Sequence, residues 1–437
     1  MKRPSQLLSR ASPKPRTPLN RRAIWEAVRV NIFAVSLLAI WTTLNAVLLP
    51  DRVSELVGSS LQASALGLVS LLGVGIATLV QPVAGRLSDE SRLPDRRRPF
   101  ILAGSTVAIL CFALFWDADD FVWLFVAFVL IQIALNVAQA AFQALIPDVI
   151  PPAEHGLASG VKSALSVAGV ALGLLGTALL VHTRGGDGAA ILFLATVLAA
   201  GAALTAIWVP RVPPLPRADG RGPRLAPHEL WATFARPLAR HPAFARVVLA
   251  TFFFMLGVLP LQRFLLYYLK DRFCIADPVS RGAVYLALAV LVATLAALAA
   301  GFLSDRLGRA WVLRASVALV VVGDLGMAFA PSIVIAGAAG ALVALGVGAF
   351  VSVSWALFSD LIPAGSGAQY YGIANFASAG ASALVGLFGP VLDLTRRVAP
   401  DDAYRIAFSL AALVVLMSLV PLRRLARSAE GDAAETQ

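Results

Sequence analysis

Two polar stretches, GRLSDESRLPDRRRPF at residues 85–100 and GFLSDRLGRAWVLR at residues 301–314, interrupt the long apolar runs of this sequence. Both contain Gly-x-Leu-Ser-Asp, and the two copies lie 216 residues apart. A second pair agrees, because PDVIPPAEHG at residues 147–156 matches SDLIPAGSGAQYYG at residues 359–372 at nearly the same separation. Two independent matches at nearly one offset indicate an internal duplication of the chain.

The apolar runs between these stretches decide the class of protein. The chain has 437 residues, of which 59% are hydrophobic and only 14% are charged. Ordinary water-soluble domains cannot bury that much apolar surface, and an open sheet cannot cross lipid with unpaired edges, so we expect transmembrane helices. A span needs about 20 residues. The predicted spans are residues 30–49, 63–84, 100–116, 121–144, 157–181, 188–209, 245–269, 279–304, 311–330, 332–358, 370–392 and 403–422.

The duplication and one long linker divide these twelve spans into two groups of six. The Pro-rich linker at residues 210–243 separates an N-terminal bundle at 30–209 from a C-terminal bundle at 244–422. We therefore predict an all-α membrane protein of twelve transmembrane helices in two pseudo-symmetric six-helix bundles. The basic residues 1–29 are predicted to form a disordered cytoplasmic tail rather than a signal peptide, and residues 423–437 a second tail.

The distribution of positive charge predicts the orientation in the membrane. The formal net charge is +11, and 26 of the 36 Lys and Arg residues lie on one side if the N-terminus is cytoplasmic. The positive-inside rule therefore predicts a multi-pass protein of the cell membrane with both termini in the cytoplasm. This bias accounts for the positive charge without a nucleic-acid partner.

Several classes of function find no support in the sequence. It contains no Gly-x-x-x-x-Gly-Lys-Ser/Thr loop, so we do not expect ATP to drive this chain. Its two cysteines offer neither a disulfide framework nor a metal cluster, so we expect no metal and no cofactor. The acidic turn at Asp117–Asp120 is the one feature that suggests a polytopic membrane enzyme. A solvated loop explains that turn more simply, so we do not expect an enzyme.

The loop at residues 301–309 resembles the signature loop of the major facilitator superfamily. That loop follows the second span of a half and has roughly the pattern Gly-x-Leu-Ala/Ser-Asp-Arg-x-Gly-Arg, which this stretch matches closely. The first copy is longer and continues into RRRPFILAG at residues 96–104. That form is similar to the loop of the sucrose-transporter and glycoside-pentoside-hexuronide cation symporter branch. The resemblance implies twelve spans and transport by alternating access.

The resemblance also implies that these loops hold the two halves together on the cytoplasmic side in the outward-open state. An aspartate there can accept hydrogen bonds from a helix N-terminus, and an arginine can hold a carboxylate through a forked pair. The alternative is that the loop charges are merely solvated. The expected partners are Asp89 with span eleven near Tyr370, Asp305 with span five near Gly156, and Arg97 with Asp148. The predicted gating residues are Gly85, Asp89, Arg97, Asp148, Gly301, Asp305, Arg306 and Arg309.

In the superfamily fold, spans one, four, seven and ten line the solute pathway. The four amide side chains of span four are spaced 4, 3 and 4 residues apart, so they share one helical face. This face must point into protein or water, toward a solute or into hydrogen bonds that pack the bundle. Amides and aromatic faces suit a polyhydroxylated neutral solute, among others. The predicted solute-binding residues are Trp41, Asn45, Gln132, Asn136, Gln139, Gln143, Arg263 and Trp355.

Away from their ends, the predicted spans contain three charged side chains, and each of these positions is a functional hypothesis. Lys162 and Arg263 lie about two turns from a membrane border, where long side chains can reach the surface. Arg263 can equally face the solute, because its helix lines the pathway. Asp324 is short and lies near the middle of span nine. We predict that Asp324 carries the coupling proton, and the alternative is a buried hydrogen bond.

These observations lead to one functional hypothesis and three alternatives. We predict a monomeric secondary transporter that rocks its two halves and takes up a sugar or glycoside with protons. Its partners are the small-molecule solute, the proton and the lipid bilayer. One alternative within the fold is export of an amphipathic solute or handling of a pigment or lipid. The others are a polytopic membrane enzyme and a receptor or assembly factor that has lost transport.

Overall fold

The computed structural model describes residues 21–151, 154–184, 187–214, 236–361 and 367–423. Twelve long helices form two bundles of six, and we number them as spans one to twelve in chain order. In the N-terminal half the spans are Phe33–Leu56, Gln62–Asp89, Arg98–Trp116, Phe121–Val149, His155–Arg184 and Asp187–Trp208. In the C-terminal half they are Pro242–Arg263 with Leu265–Phe273, Pro278–Leu307, Arg309–Ala328, Ile333–Leu361, Gly367–Leu384 with Phe388–Val398, and Ala403–Met417.

The composition of these helices fits a bilayer. Among the described residues, eleven helices are long and apolar enough to cross a membrane. Span two is the twelfth, a helix of 28 residues whose first part, Gln62–Ile76, is apolar. Helices satisfy every backbone group within the segment, which is the requirement that lipid imposes. The twelve-helix, two-bundle prediction is confirmed.

Small residues let the helices pack closely within each half. Gly169 and Gly173 of span five lie against the backbone of Val35 and Ala39 in span one, where an added Cβ atom would overlap the neighbouring helix. Backbones approach this closely only where a side chain is absent, as is typical of membrane helices. Span one is thereby held in the middle of the N-terminal half, where it can also face the C-terminal half.

The described residues place close contacts between the two halves toward one end of the molecule. We call the end that carries residues 90–97 the inner end and the opposite end the outer end. Toward the outer end, Gly67 of span two lies so close to Gly386 of span eleven that a Cβ atom on either would overlap the other's carbonyl oxygen. Ser280 Oγ of span eight also donates to the carbonyl of Ala178 in span five at 3.1 Å. These contacts close the outer end.

Part of the predicted N-terminal tail is helical. Residues 21–29 were expected to be disordered, but they belong to the helix Arg21–Asn31, while residues 1–20 lie outside the described part. The spacing of Ala23, Ala27 and Val30 puts three buried side chains on one helical face, and this amphipathic pattern explains the difference. Asn31 Nδ2 then donates to the carbonyl of Ala158 in span five at 3.1 Å.

The predicted linker also ends earlier than expected. Span seven begins at Pro242, inside the segment assigned to the linker. Proline is favoured in the first turn of a helix, where its missing N–H costs no hydrogen bond. At the other end of the linker, Val212 accepts a backbone hydrogen bond from Arg96 at 2.9 Å, so the start of the linker is fastened to the first polar loop. Residues 215–235 lie outside the described part.

Candidate functional site

Two irregular helix segments face each other where the halves meet. Span one contains a π-helical turn at Leu44–Leu48, and span seven contains Pro260 and is interrupted at Phe264. Shifted by the 216-residue offset of the duplication, Leu44–Leu48 corresponds to residues 260–264. Both halves therefore lose regular helical structure at the same repeat position. Such π-turns and broken membrane helices are frequent at functional sites, because they free backbone groups inside the membrane.

Arg263 crosses from the C-terminal half to this π-turn. Its Nη1 donates to the backbone oxygen of Asn45 at 2.9 Å and lies 3.4 Å from Asn45 Oδ1. The residue is only 9% exposed, and no carboxylate among the described residues lies within ion-pair distance of it. A buried charge without a counter-charge is costly, so this position calls for a functional explanation.

Trp41 connects Asn45 to the amide face of span four. Asn45 Nδ2 donates to the Trp41 carbonyl at 2.9 Å, and Trp41 Nε1 donates to Gln132 Oε1 at 3.0 Å. Asn136 Nδ2 donates to the Gln132 backbone oxygen at 2.8 Å. Arg263, Asn45, Trp41 and Gln132 thus form a chain of contacts across both halves, which we call the central polar cluster. Four of the predicted solute-binding residues belong to it.

The remaining predicted solute-binding residues have different surroundings. Asn136 is buried and bonds within its own helix, so the packing alternative describes it better. Gln139 lies further along the same face, and its buried Oε1 has no hydrogen-bond partner among the described residues. Gln143 is exposed near the inner end. Trp355 of span ten is 38% exposed and lies 5.8 Å from the ring of Phe358, ring centre to ring centre.

An apolar cavity of about 520 Å³ lies in the C-terminal half beside this cluster. Spans seven, eight, nine and ten supply most of its walls, and Thr42 of span one completes them. The side chains of Gln262, Tyr268 and Tyr285 are among the few polar groups that line it. Thr42 lies about one turn before Asn45, so the cavity and the central polar cluster adjoin along one face of span one.

The inner loop of the N-terminal half is a dense ion-pair network. Arg97 Nε and Arg96 Nη2 each donate to one carboxylate oxygen of Asp148 at 2.7 Å, which is the expected partner of Arg97. The carboxylate of Asp89 accepts a hydrogen bond from Arg97 Nη2 at 2.5 Å and is not bonded to Tyr370. Tyr370, the expected partner of Asp89, packs 4.9 Å from Phe244 within its own half. No described residue of span eleven contacts Asp89 in this conformation, in which the closest contacts between the halves lie at the outer end.

The C-terminal half repeats this network in reduced form. Arg309 pairs with Asp360, and both residues are 212 positions after Arg97 and Asp148. Arg306 is exposed. The other expected pair, Asp305 with span five near Gly156, cannot be described, because the surroundings of both residues lie outside the described part of the structure. The internal repeat therefore extends to individual ion pairs, whereas the gating role of these residues stays a prediction.

The two glycines of the signature loops have open surroundings. Among the described residues, a Cβ atom added to Gly85 would meet nothing within 4 Å, and one added to Gly301 would meet only Ser352 Oγ at 3.8 Å. In the described part of the structure, neither glycine therefore serves a close helix contact in this conformation. A closing role at the inner end would require the other conformation of the transport cycle.

Asp324 and Lys162, the other two charged residues predicted inside spans, differ in burial and in their contacts. Asp324 is fully buried in span nine, and neither of its carboxylate oxygens has a hydrogen-bond partner among the described residues. No described residue therefore provides the buried hydrogen bond that the alternative explanation of Asp324 requires. Lys162 lies partly buried on span five, with its Nζ 5.3 Å from the ring centre of Phe142. A cation over an aromatic face is a common structural contact. The contact therefore favours a structural role for Lys162 over a functional one.

Sequence reasoning missed a contact at the outer end. Asp393 of span eleven is 3% exposed, and its carboxylate accepts hydrogen bonds from the backbone N–H groups of Ala63 and Ser64, at 3.3 and 2.6 Å. These donors belong to the first turn of span two, where a helix has free N–H groups and a positive partial charge. Arg396 extends this contact by pairing with both Asp393 and Asp271. An aspartate at the end of a predicted span was the available signal.

Solved structures with similar folds include several membrane transporters. A bacterial homologue of the human lysosomal transporter Spinster, in an inward-facing and unoccupied conformation, is 16% identical, with a TM-score of 0.73 over 94% of this chain and 98% of its own. The nucleoside transporter NupG is 12% identical, with a TM-score of 0.67 over 92% and 98%. The human organic anion transporter MFSD10 is 18% identical, with a TM-score of 0.62 over 93% and 100%. At these identities the likeness shows the fold alone.

The sequence itself matches a family model over most of its length. A comparison with curated protein sequences finds no match. Residues 30–387, however, match the family model described as Major Facilitator Superfamily. This range includes both polar loops, the central polar cluster, the first ten spans and the first segment of the eleventh. The chain therefore belongs to the Major Facilitator Superfamily and is a multi-pass membrane transporter.

Proposed function

We propose that the chain is a proton-coupled secondary transporter that takes up a sugar or glycoside from outside the cell. The observation that carries the proposal is the central polar cluster, in which Arg263 of one half contacts Asn45 of the other. Transporters built from repeats bind their solute near the middle of the membrane, at the interface between the repeats. A solute bound there contacts both halves, so the two conformations of the transporter can differ in affinity for it.

The chemistry of the cluster supports a hydroxylated solute. The ring of Trp41 offers an aromatic face, and the amides of Asn45 and Gln132 offer both donors and acceptors. Sugar hydroxyl groups both donate and accept hydrogen bonds, so they can replace the contacts that these side chains make with one another. The unpartnered oxygen of Gln139 adds one more acceptor along the same face.

The contacts at the two ends support a rocking cycle. In this conformation the outer end is closed by Gly67 against Gly386 and by Asp393 on the first turn of span two. Opening the outer end breaks these contacts. Closure of the inner end then brings Asp89 toward span eleven, in the arrangement that the superfamily resemblance implies. We propose that Asp324 carries the coupling proton, because its carboxyl is buried without a partner among the described residues.

Uptake into proteoliposomes tests this function. The full chain is reconstituted, and accumulation of a panel of labelled sugars and glycosides is measured with an imposed proton gradient, with and without a protonophore. We expect accumulation of at least one compound, abolished by the protonophore. Gln132→Ala should lower uptake at least tenfold, whereas Gln143→Ala, on the same helical face but exposed, should change it little. If no compound accumulates under any gradient, the proposal of sugar uptake is wrong.

A second candidate function, export of an amphipathic solute, is favoured by the apolar cavity. Its volume of about 520 Å³ falls within the range of drug-sized ligand pockets, and its walls are largely apolar. Ala289→Phe would fill part of the cavity, because Ala289 lines it. Loss of amphipathic solute efflux from loaded vesicles, with sugar uptake unchanged, would support export. Unchanged efflux would argue against it.

A further inference from the structure

The three buried arginines among the described residues differ in their counter-charges. Arg96, Arg97 and Arg263 are 5%, 3% and 9% exposed. Arg96 and Arg97 share the Asp148 carboxylate, each through a contact of 2.7 Å. Arg263 has no carboxylate within ion-pair distance in the part of the chain that the structure describes. The chain thus neutralises its buried guanidinium groups at the inner loop and leaves one without a counter-charge at the interface between the halves.

The guanidinium of Arg263 also keeps unused donors. Nη1 makes both hydrogen bonds to Asn45, and neither Nε nor Nη2 has an acceptor among the described residues. A guanidinium presents its N–H groups in a planar fork that matches a carboxylate or phosphate. Asn45 holds one edge of this fork in place. The unused N–H groups are therefore available to an anion.

The surroundings of Arg263 cannot supply the missing charge. Arg263 is the last residue of the first segment of span seven, and the end of a helix offers only a partial negative charge. The carbonyl of Asn45, freed in the π-turn, adds one neutral acceptor. In a membrane interior, an arginine with only neutral partners keeps a large desolvation cost. An anionic ligand reduces this cost when it binds.

We infer that Arg263 is an anion subsite of the solute site, so that the transported solute carries a carboxylate or a comparable acidic group. This inference rests on the proposed function in one respect, namely that the crevice between the halves binds the solute. The neutral part of the solute faces the amides of span four, and an apolar substituent fits the adjoining cavity behind Thr42. The preferred solute is thus an organic acid, such as a sugar acid or an anionic glycoside, rather than a neutral sugar.

A matched pair of ligands tests the subsite independently of transport. Phenyl glucuronide and phenyl glucoside differ only in a carboxylate that replaces a hydroxymethyl group. Their binding to the full chain in lipid nanodiscs is measured through the fluorescence of the tryptophans, of which Trp41 lies in the site. The variants are Arg263→Gln, Arg263→Lys and the control Lys162→Gln, which removes a cation outside the central polar cluster.

We expect the wild-type chain to bind the glucuronide at least about tenfold more tightly than the glucoside, in line with the strength of charge-assisted hydrogen bonds. Arg263→Gln should remove this preference while keeping the affinity for the glucoside, which also shows that the variant is folded. Arg263→Lys should keep part of the preference, because it keeps the charge but loses the fork. Lys162→Gln should behave as the wild type.

Two outcomes overturn the inference. One is equal or undetectable binding of the two compounds by the wild-type chain, and the other is a preference for the glucuronide that survives in Arg263→Gln. Uptake of both compounds into proteoliposomes separates this result from the proposed function. Accumulation of the glucoside, together with a glucuronide preference that is missing in the wild-type chain or survives in Arg263→Gln, leaves transport intact and removes the anion subsite. A preference that depends on Arg263, without accumulation of either compound, leaves the subsite intact and removes the proposed uptake.

Discussion

The two halves share a scaffold and differ in what they place inside it. Both lose regular helical structure at the same repeat position, in Leu44–Leu48 and around Phe264. Both also carry an arginine that pairs with an aspartate at the end of the fourth helix of the half. In the N-terminal half, however, the buried Arg96 and Arg97 share the carboxylate of Asp148, whereas the C-terminal half leaves Arg263 and Asp324 without charged partners among the described residues.

This difference indicates that the two halves of the duplicated chain have different roles. The position 212 residues before Asp324 is Phe112, an apolar side chain that is 2% exposed. The scaffold therefore does not require a carboxyl there, because the equivalent helix of the other half packs with a phenyl ring. A costly polar group that only one repeat retains is more simply explained by function than by folding. This division can be tested by substitution, and the contacts between the two halves offer the largest expected effect.

The largest effect is expected where the halves meet. Gly67→Val places a branched side chain against the carbonyl of Gly386, and such overpacking costs about 1–3 kcal/mol. The overlap exists only while the outer end is closed, so the equilibrium should shift about tenfold or more toward the outward-open state. Labelling of a cysteine at Leu71, in a background without Cys111 and Cys274, measures outer accessibility.

The matched control lies on the same helix. Gly75→Val introduces the same side chain at a position where a Cβ atom meets no described residue within 4 Å. Its labelling should match that of the unmodified chain. Equal labelling of both valine variants would show that the glycine contact does not determine closure of the outer end.

The next largest effect concerns the carboxyl that only the C-terminal half possesses. Asp324→Asn keeps the shape of the side chain but cannot release a proton. We expect accumulation driven by a proton gradient to fall to the level reached without a gradient, while exchange of labelled for unlabelled solute continues. Ser316→Ala is the control, because it removes a buried polar group from the same helix. Gradient-driven accumulation by the asparagine variant would exclude Asp324 as the proton carrier.

A third prediction compares the two equivalent arginine–aspartate pairs. Arg97 is 3% exposed and contacts two carboxylates, so Arg97→Gln should lower the free energy of unfolding by about 3 kcal/mol. Arg309→Gln should cost about 1 kcal/mol or less, because the Asp360 side chain is half exposed. Thermal unfolding in nanodiscs measures both. Similar losses in the two variants would mean that burial does not distinguish the pairs.

The smallest effect is expected at the contact that sequence reasoning missed. Asp393→Asn keeps an acceptor for Ala63 and Ser64 but removes the charge that favours a helix N-terminus. A change of about 1 kcal/mol corresponds to roughly a fivefold shift toward the outward-open state. The Leu71 labelling assay detects it, and Asp402→Asn, a half-exposed outer aspartate, is the control. No shift relative to the control would exclude Asp393 from closing the outer end.

The sequence predicted the elements that follow from composition and repetition. Hydropathy located all twelve helices, because each must satisfy its backbone within lipid. The superfamily resemblance predicted the pairing of Arg97 with Asp148, which the structure shows. The helix at Arg21–Asn31 was missed, because a basic, Pro-rich context obscured three small apolar residues at helical spacing.

Features that depend on the conformation could not be predicted in the same way. The π-turn at Leu44–Leu48 has neither glycine nor proline to mark it. Asp393 caps span two only while the outer end is closed, and Asp89 is expected to reach span eleven only while the inner end is closed. A sequence motif states which residues can pair, whereas the state of the transport cycle decides which pairs form. The pairing of Arg263 with Asn45 also needed the three-dimensional arrangement, because 218 residues separate them.

The close approach of Gly67 and Gly386 makes the resting balance of the transporter adjustable in small steps. Each glycine lies against the carbonyl of the other, so a single methyl group on either one acts on the closed outer end and leaves the binding crevice untouched. Alanine, serine and valine at these positions would form a graded series, in which each substitution shifts the equilibrium between the outward-closed and outward-open conformations by a different amount. If the central polar cluster binds the solute as we propose, substrate selection and the balance between conformations depend on separate residues, so one can change without the other.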